Sequence, residues 1–471
     1  MLGIPEIDTR IVSAVHVALA AGVTMHVLLH KRDIGASIGW IGLAWLSPIL
    51  GSVLYAIFGI NRVKRRAIRL YDAQPATPAA ETALTSATRD DHLAPLERAG
   101  CQITGRPVES GNVITLLRNG DEAYPQMLAA IDAARASVAL SSYIFRADAA
   151  GTRFIEALIR ACQRGVAVRV LIDGIGGGYF FSRAYRRLAR AGVPVARFLH
   201  SPLPWRMPVI NLRSHKKLLV VDGRLAFTGG LNIADENVLR DRPRHPVQDL
   251  HFSFEGPVVA QLSEAFAADW LFIADEELTG DAWFPRLAPL GSGDARAVIS
   301  GPDQDLEKIE FMILEAIACA RQSIKIMTPY FLPDDGLVTA LALAAMRGVA
   351  VDIITPERGN HRILEWAVRA HIAPLIEAGC RLWSNPPPFN HAKLMTVDGS
   401  WCLVGSANWD VRSFRLNFEL NMEVYHSDLV AQIDAMMAAK QSRRLTAADI
   451  ERRSLPVRLR DNAARLMLPY L

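Results

Sequence analysis

The chain of 471 residues has five cysteines, Cys101, Cys162, Cys319, Cys380 and Cys402, and no Cys-x-x-Cys pair. An odd number at wide spacing argues against a disulfide framework and against the usual zinc spacings. Reduced thiols in a reducing compartment are the expectation. A strong charge bias is also missing. The formal net charge is +4, so composition gives no general attraction to nucleic acid. Aspartate, glutamate, lysine and arginine are absent from residues 11–30 and again from 34–61.

Those two uncharged stretches are apolar, and each is long enough to cross the hydrocarbon core of a bilayer. Trp40 and Tyr55 suit the interfaces, and Pro48 and Gly51 are tolerated in a membrane helix. A cleaved leader is a poor account, because Glu6 and Asp8 stand where such leaders carry positive charge and a second stretch follows at once. The reading is a two-helix transmembrane hairpin. Arg62, Lys64, Arg65, Arg66 and Arg69 follow it, against Lys31 and Arg32 in the short loop, so both termini are expected in the cytoplasm.

Residues 73–99 are rich in Ala, Pro, Thr and Asp without an apolar period, and read as a linker. The remainder repeats itself. Residues 129–138 resemble 315–324, residues 164–173 resemble 347–356, and residues 215–222 resemble 391–398, in the same order. In each copy an Ala-rich amphipathic segment ends near glycine and a β-branched run follows, so each is an α/β unit with a buried sheet. Two copies are expected to pack face to face with pseudo-twofold symmetry. The chain divides into an anchor (1–70), a linker (71–110), a first α/β/α sandwich (111–290) and a second (291–471) with a basic tail. That tail carries Arg443, Arg444, Arg452, Arg453, Arg458, Arg460 and Arg465. It reads equally as an interfacial contact or as a solvated helix docked on the core.

The chemistry lies in the repeat. His215 and Lys217 are two apart in a strand-like run and share one face, as do His391 and Lys393. Asp222-Gly223 and Asp398-Gly399 then signal hairpins, and the return strands end near Asn232 and Asn408. Each copy thus brings one imidazole, one ammonium and one amide to a common surface. Histidine suits nucleophilic attack or proton transfer near neutral pH, lysine suits phosphate, and asparagine can donate to a phosphoryl oxygen. Two such half-sites around one phosphate allow one histidine to attack phosphorus while the other protonates the leaving oxygen. The second then activates the incoming hydroxyl. No metal or other cofactor is required. Asp222 and Asp398 belong to the motif, through a turn or ion-pair role or through direct chemistry.

The duplicated His-x-Lys-x(4)-Asp motif resembles the signature of the phospholipase D superfamily, and nearly the whole chain resembles bacterial cardiolipin synthases. Residues 45–59, 211–215, 228–232, 328–333 and 405–414 carry the closer likeness. The resemblance implies tandem phospholipase D-like domains, a phosphohistidine intermediate, and transfer of a phosphatidyl group between two phosphatidylglycerols, giving cardiolipin and glycerol. It implies a multi-pass protein of the bacterial inner membrane acting on phospholipids, with no nucleic acid partner. It also implies that Glu419 orients a catalytic histidine and that Asp249 plays that part in the first half, with His215 as the nucleophile. Where the family usually has a Trp-Arg-Asp run, this chain has Val247, Gln248 and Asp249, and an acidic position of the first repeat is replaced near Ser141 and Ser142. A hydrolase with water as acceptor, or a transferase using another lipid or alcohol, has the same motifs. A nuclease or an inactive scaffold fits less well, given the apolar stretches and two intact motifs.

Overall fold

The computed structural model describes residues 9–31, 34–59, 91–200, 212–302 and 307–466. They form two compact units, one holding the N-terminal helices and the other the α/β body.

In the N-terminal unit the helix Thr9–His30 is followed by Ile34–Leu46, Pro48–Leu54 and a π-helical turn, Tyr55–Gly59. Ala20, Val23 and Val27 pack on Ala44 and Tyr55, and the indole N–H of Trp45 donates to Thr24 Oγ1 (3.1 Å). Among the described residues one helix is long and apolar enough to cross a membrane, through Ser13–His30. The second expected span is not one unbroken helix. It stops at Ser47, whose extended φ of −143° precedes a proline at the first position of the next helix. Proline lacks the N–H a continuing helix needs and starts a new one readily. The basic cluster at 62–69 lies outside the described residues.

The body is built twice by the same local rules. In the helix Ala149–Gln163 the side chains of Phe154, Ile155, Leu158 and Ala161 recur at helical spacing and are buried. Its first turn is capped by Asp148, whose carboxylate accepts from the Gly151 N–H (3.0 Å). Gly165 ends it at φ +86°, and the strand Ala167–Asp173 follows. The second copy has Asp334 capping Asp335–Met346, then Gly348 at φ +95°, then the strand Ala350–Pro356. Each fully buried Leu or Phe contributes roughly 1.5–3 kcal/mol, so such stripes fix which helix face meets the sheet.

The halves meet edge to edge rather than only face to face. Strand Glu109–Arg118 pairs antiparallel with Gly293–Ser300, and this seam makes one continuous sheet. From it the first half runs outward through Leu250–Glu255, Leu225–Gly229, Leu218–Val221, Ser137–Ser142, Ala167–Asp173 and Val195–Phe198. The second half repeats that order, from Asn417–Tyr425 to Arg381–Asn385, with Arg443–Leu445 added at its edge. Each half has its own core, and a third core is shared. In the shared core the helices Val259–Ala274 and Ser427–Ala438 press Phe266, Trp270 and Ile433 against strand residues of both halves.

The linker expectation needs correction at its C-terminal end. Residues 73–90 lie outside the described residues, but Ala94–Thr104 is a helix. Leu93 and Leu96 are wholly buried in the core of the second half, beside Ile309 and Met312. The apolar positions were too few to stand out against the Ala/Pro-rich stretch before them. All five cysteines are free.

Candidate active site

Both motif hairpins form. Val221 pairs with Leu225 and Val397 with Trp401, and the turns place Asp222, Gly223, Asp398 and Gly399 all at positive φ. Asp-Gly tolerates that conformation where bulkier pairs do not. The hairpins bring Asn232 and Asn408 back to a cavity of about 650 Å³ that both motif histidines also line.

The two aspartates of the motif do not reach this cavity. Asp222 accepts from the backbone N–H groups of Arg135, Ala136 and Ser137 (2.7–3.1 Å). Asp398 accepts from those of Arg321, Gln322 and Ser323 (2.7–2.8 Å) and bonds His92 Nε2. They sit at the turn end of the hairpin, away from the histidine end, and tie the start of the neighbouring strand to it. Of the two roles expected for them, this geometry favours the turn role. A side chain seven residues along an extended strand from the histidine is about 20 Å away.

Each histidine is delivered across the boundary between the halves. Arg213–Ser214 runs parallel to the start of Asn417–Tyr425, and the His215 N–H donates to the Phe418 carbonyl (2.8 Å). Phe389–Asn390 runs parallel to Val247–Gln248, and the His391 N–H donates to the Gln248 carbonyl (2.7 Å). The carboxylates are exchanged accordingly. Glu419 is 3.0 Å from Nδ1 of His215, and Asp249 is 2.9 Å from Nδ1 of His391. Asp249, from the first half, is thus placed against the second half's histidine. Glu419 also accepts from Ser406 Oγ (2.5 Å) and Asn417 Nδ2 (3.0 Å). With each Nδ1 bound to a carboxylate, Nε2 is left for chemistry. The imidazole centroids are 6.4 Å apart.

Burial is the dominant electrostatic fact. It drives both His215 and His391 down to about 4, so both rings are neutral at neutral pH. It lowers Lys217 to about 7 and Lys393 to about 8. Burial raises Glu419 too, but His215 and Lys217 outweigh it and hold the carboxyl near 2. Asp249 is held down likewise by Lys393 and His391, against its burial. Each lysine ammonium donates to the carbonyl of its own motif's histidine, Lys217 at 2.6 Å.

Sequence reasoning passed over several groups. Tyr143 stands 4.8 Å from His215, centroid to centroid, and Tyr330 6.5 Å from His391. They follow equivalent strands but are one position out of step. Tyr143 matches Pro329, and Tyr330 matches Ile144, so comparing the repeats does not find them. Arg213 and Arg412 also line the cavity.

Two α/β halves that cross-supply a histidine pair over one cavity define an enzyme of the phospholipase D type. The family model described as "Cardiolipin synthase, PLD-like domain" matches residues 127–270 and 313–440. The chain belongs to this cardiolipin synthase family. It is 30% identical to the cardiolipin synthase of Geobacillus kaustophilus, over 95% of this chain and 91% of that one. It is 30% identical to the major cardiolipin synthase of Bacillus subtilis, over 94% and 95%. Among solved structures, a phosphatidylserine synthase of Haemophilus influenzae shares the fold with a TM-score of 0.62 at 16% identity. That match covers 80% of this chain and all of the other.

Proposed function

We infer that the protein is a cardiolipin synthase that moves a phosphatidyl group from one phosphatidylglycerol to another by double displacement on histidine. The observation that carries the mechanism is the pair of imidazoles across one cavity, each fixed at Nδ1 by a carboxylate of the opposite half. Nε2 of His215 attacks the donor phosphorus. The phosphorus–oxygen bond to glycerol breaks, and His391 supplies the proton that the glycerol oxygen takes. The acceptor's glycerol hydroxyl then gives its proton to His391 and attacks phosphorus, and the phosphorus–nitrogen bond breaks. Lys217, Lys393, Asn232 and Asn408 carry the charge on the phosphoryl oxygens. The anionic substrate favours the protonated form of His391 and so opposes the effect of burial on it.

The N-terminal unit serves in this reading as a two-span anchor in the bacterial inner membrane, with the body in the cytoplasm. The near-continuous helical run over 34–59 and the apolar exposure of Leu28, Leu29 and Leu46 support it. The body has a matching surface. Phe180 and Phe181 are 72% and 75% exposed and lead into the helix Arg183–Arg190, which carries four arginines. An apolar tip beside cations suits a bilayer of anionic lipid.

Labelled phosphatidylglycerol in mixed micelles tests the assignment. Cardiolipin and glycerol from the wild type, with neither from His215→Ala or His391→Ala, is the expected result. Phosphatidic acid as the sole product would make the protein a hydrolase.

A further inference from the structure

The basic tail ends in a helix with two faces. Leu455–Leu466 lies along Arg362–His371, and its Ala464 packs with Leu364, Trp366 and Ala367. The Arg460 guanidinium stacks on the Trp366 ring, 4.3 Å from its centroid. Asp461, the one acidic residue of the helix, is wholly buried and accepts from Arg453 Nη1 (2.6 Å) and Arg460 Nη2 (2.7 Å). Arg453 Nη2 also donates to the Arg369 carbonyl (3.1 Å). The other side is bare among the described residues: Leu455, Leu459 and Leu466 are 67%, 62% and 76% exposed. At about 100° per residue these three fall within about 40° of one another, so they make one stripe. Arg458 and Arg465 border it on one side and Arg460 on the other, and all three are exposed.

The helix it leans on is a wall of the catalytic cavity. Arg362, Ile363 and Leu364, in the first turn of Arg362–His371, line that cavity, and Ile363 remains 42% exposed. Arg362–His371 follows the strand Ala350–Pro356 as Arg183–Arg190 follows Ala167–Asp173, so the two helices are counterparts in the repeat. The cavity holds about 650 Å³, which is room for reacting headgroups and not for diacyl chains as well. A lipid that reacts there keeps its chains outside, in the bilayer. The first half has Phe180, Phe181 and four arginines of its helix for that surface. Its counterpart in the second half has two arginines, and residues 357–361 carry no Phe, Tyr or Trp. Leu455–Leu466 supplies both leucine and arginine beside it, and no helix after Val259–Ala274 corresponds to it in the first half.

We propose that the helix Leu455–Leu466 lies on a bilayer of anionic phospholipid and holds the second half's side of the cavity to the surface from which lipid enters. Its leucines sit at the boundary of headgroups and acyl chains, and its arginines sit among the phosphates. The proposal rests on the part of the synthase reading that makes the substrates bilayer phospholipids. An apolar stripe edged by arginine is the pattern of a helix that lies in an interface. Every exposed charge on this helix is positive, which matches anionic headgroups. A second copy of the chain fits the stripe less well. Three leucines offer about 300 Å² of apolar surface, against about 800 Å² per partner in a stable interface. A copy would also bring the same cations against these.

The test adds a tryptophan to the stripe. Full-length Leu459→Trp, and separately Leu455→Trp, is placed in vesicles of phosphatidylglycerol, with or without bromine on the acyl carbons next to the headgroups. Bromine there quenches an indole that enters the boundary, and the emission each variant adds to that of the wild type should fall about twofold or more, as for a face buried about 5–10 Å deep. Asp428→Trp is the control. Asp428 is exposed and shares a surface depression with Ser400, at the turn of the second motif and so at the end of the hairpin away from His391. Its added emission should survive the bromine. Added emission quenched no more at 459 and 455 than at 428 overturns the proposal, whether residues 467–471, a second copy or water then covers the stripe. The quenching is read without turnover. A wild type that makes phosphatidic acid and no cardiolipin overturns the synthase reading, while the quenching still decides the helix.

Discussion

The carboxylate of Glu419, in the second half of the body, lies 3.0 Å from Nδ1 of His215, in the first. Asp249 and His391 make the reciprocal pair. Neither half holds a complete histidine–carboxylate pair, so the proposed mechanism needs both halves. Glu419→Gln keeps the shape of the side chain but lets its amide donate toward Nδ1. That competes with the Ser406 carbonyl, which also accepts from His215 Nδ1 (2.9 Å), and removes the charge that stabilises an imidazolium. The expected loss in kcat is about a thousandfold or more, with KM changed little. Asp249→Asn should do the same through His391. Steady-state kinetics in mixed micelles decide this, and a loss confined to KM would contradict the orienting role.

The lysines set the pH profile. A lysine with a lowered pKa is charged below that value and neutral above it. The free enzyme therefore loses cations from its phosphate site as pH rises through about 7 at Lys217 and about 8 at Lys393. Bound anionic lipid favours the charged form and moves the loss upward. The alkaline limb of kcat/KM should thus fall well below the ordinary lysine range, and that of kcat should lie at higher pH. A kcat/KM that stays flat to pH 10 would show that the lysines keep their ordinary basicity.

Much of this arrangement could be read from the sequence, and what could not has physical causes. The repeat exposed the duplication, because helix–glycine–strand units such as 155–172 and 337–354 obey the same local rules twice. The Asp-Gly turns were legible because few other pairs accept two successive positive φ values. Exchange of Glu419 and Asp249 was not legible, since it depends on the bridging runs at Arg213–Ser214 and Phe389–Asn390, too short to register as strands. The helix Ala94–Thr104 escaped because its partners, Ile309 and Met312, lie some two hundred residues away in the chain. The break at Ser47 came at Pro48, which was expected to be tolerated within one membrane helix and instead opens a new one.

Asp222 and Asp398 should separate stability from catalysis. Each accepts three backbone N–H groups, and charge-assisted bonds of this kind contribute about 1.5–3 kcal/mol apiece at most, less when shared. Asp222→Ala and Asp398→Ala should lower stability by about 2 kcal/mol or more, seen in denaturant titration, and spare the turnover of the folded fraction to within severalfold. The backbone N–H groups that Asp398 accepts from lower its carboxyl pKa, against its burial. Its stabilisation is therefore full above the ordinary carboxylate range and is lost as pH falls through the lowered value. Normal stability together with a thousandfold loss of turnover would return these residues to the chemistry.

The exposed pair Phe180 and Phe181 gives the membrane reading a test apart from the N-terminal helices. Arg197 holds their loop from below, donating to the carbonyls of Gly174, Gly178 and Tyr179 (2.6–3.0 Å), and Arg186 sits 5.4 Å from the Phe181 ring centroid. The loop is thus fixed while its aromatic tip is not buried. An aromatic side chain that leaves water for a bilayer interface gains by apolar burial, and arginines beside it gain from anionic headgroups. Phe180→Ser with Phe181→Ser should lower kcat/KM on phosphatidylglycerol in mixed micelles about tenfold. It should leave unchanged the rate on a short-chain phosphatidylglycerol kept below its micellar concentration, because no interface is needed there. Equal losses on both substrates would place the defect inside the body and remove this surface from the account of how the enzyme meets its lipid.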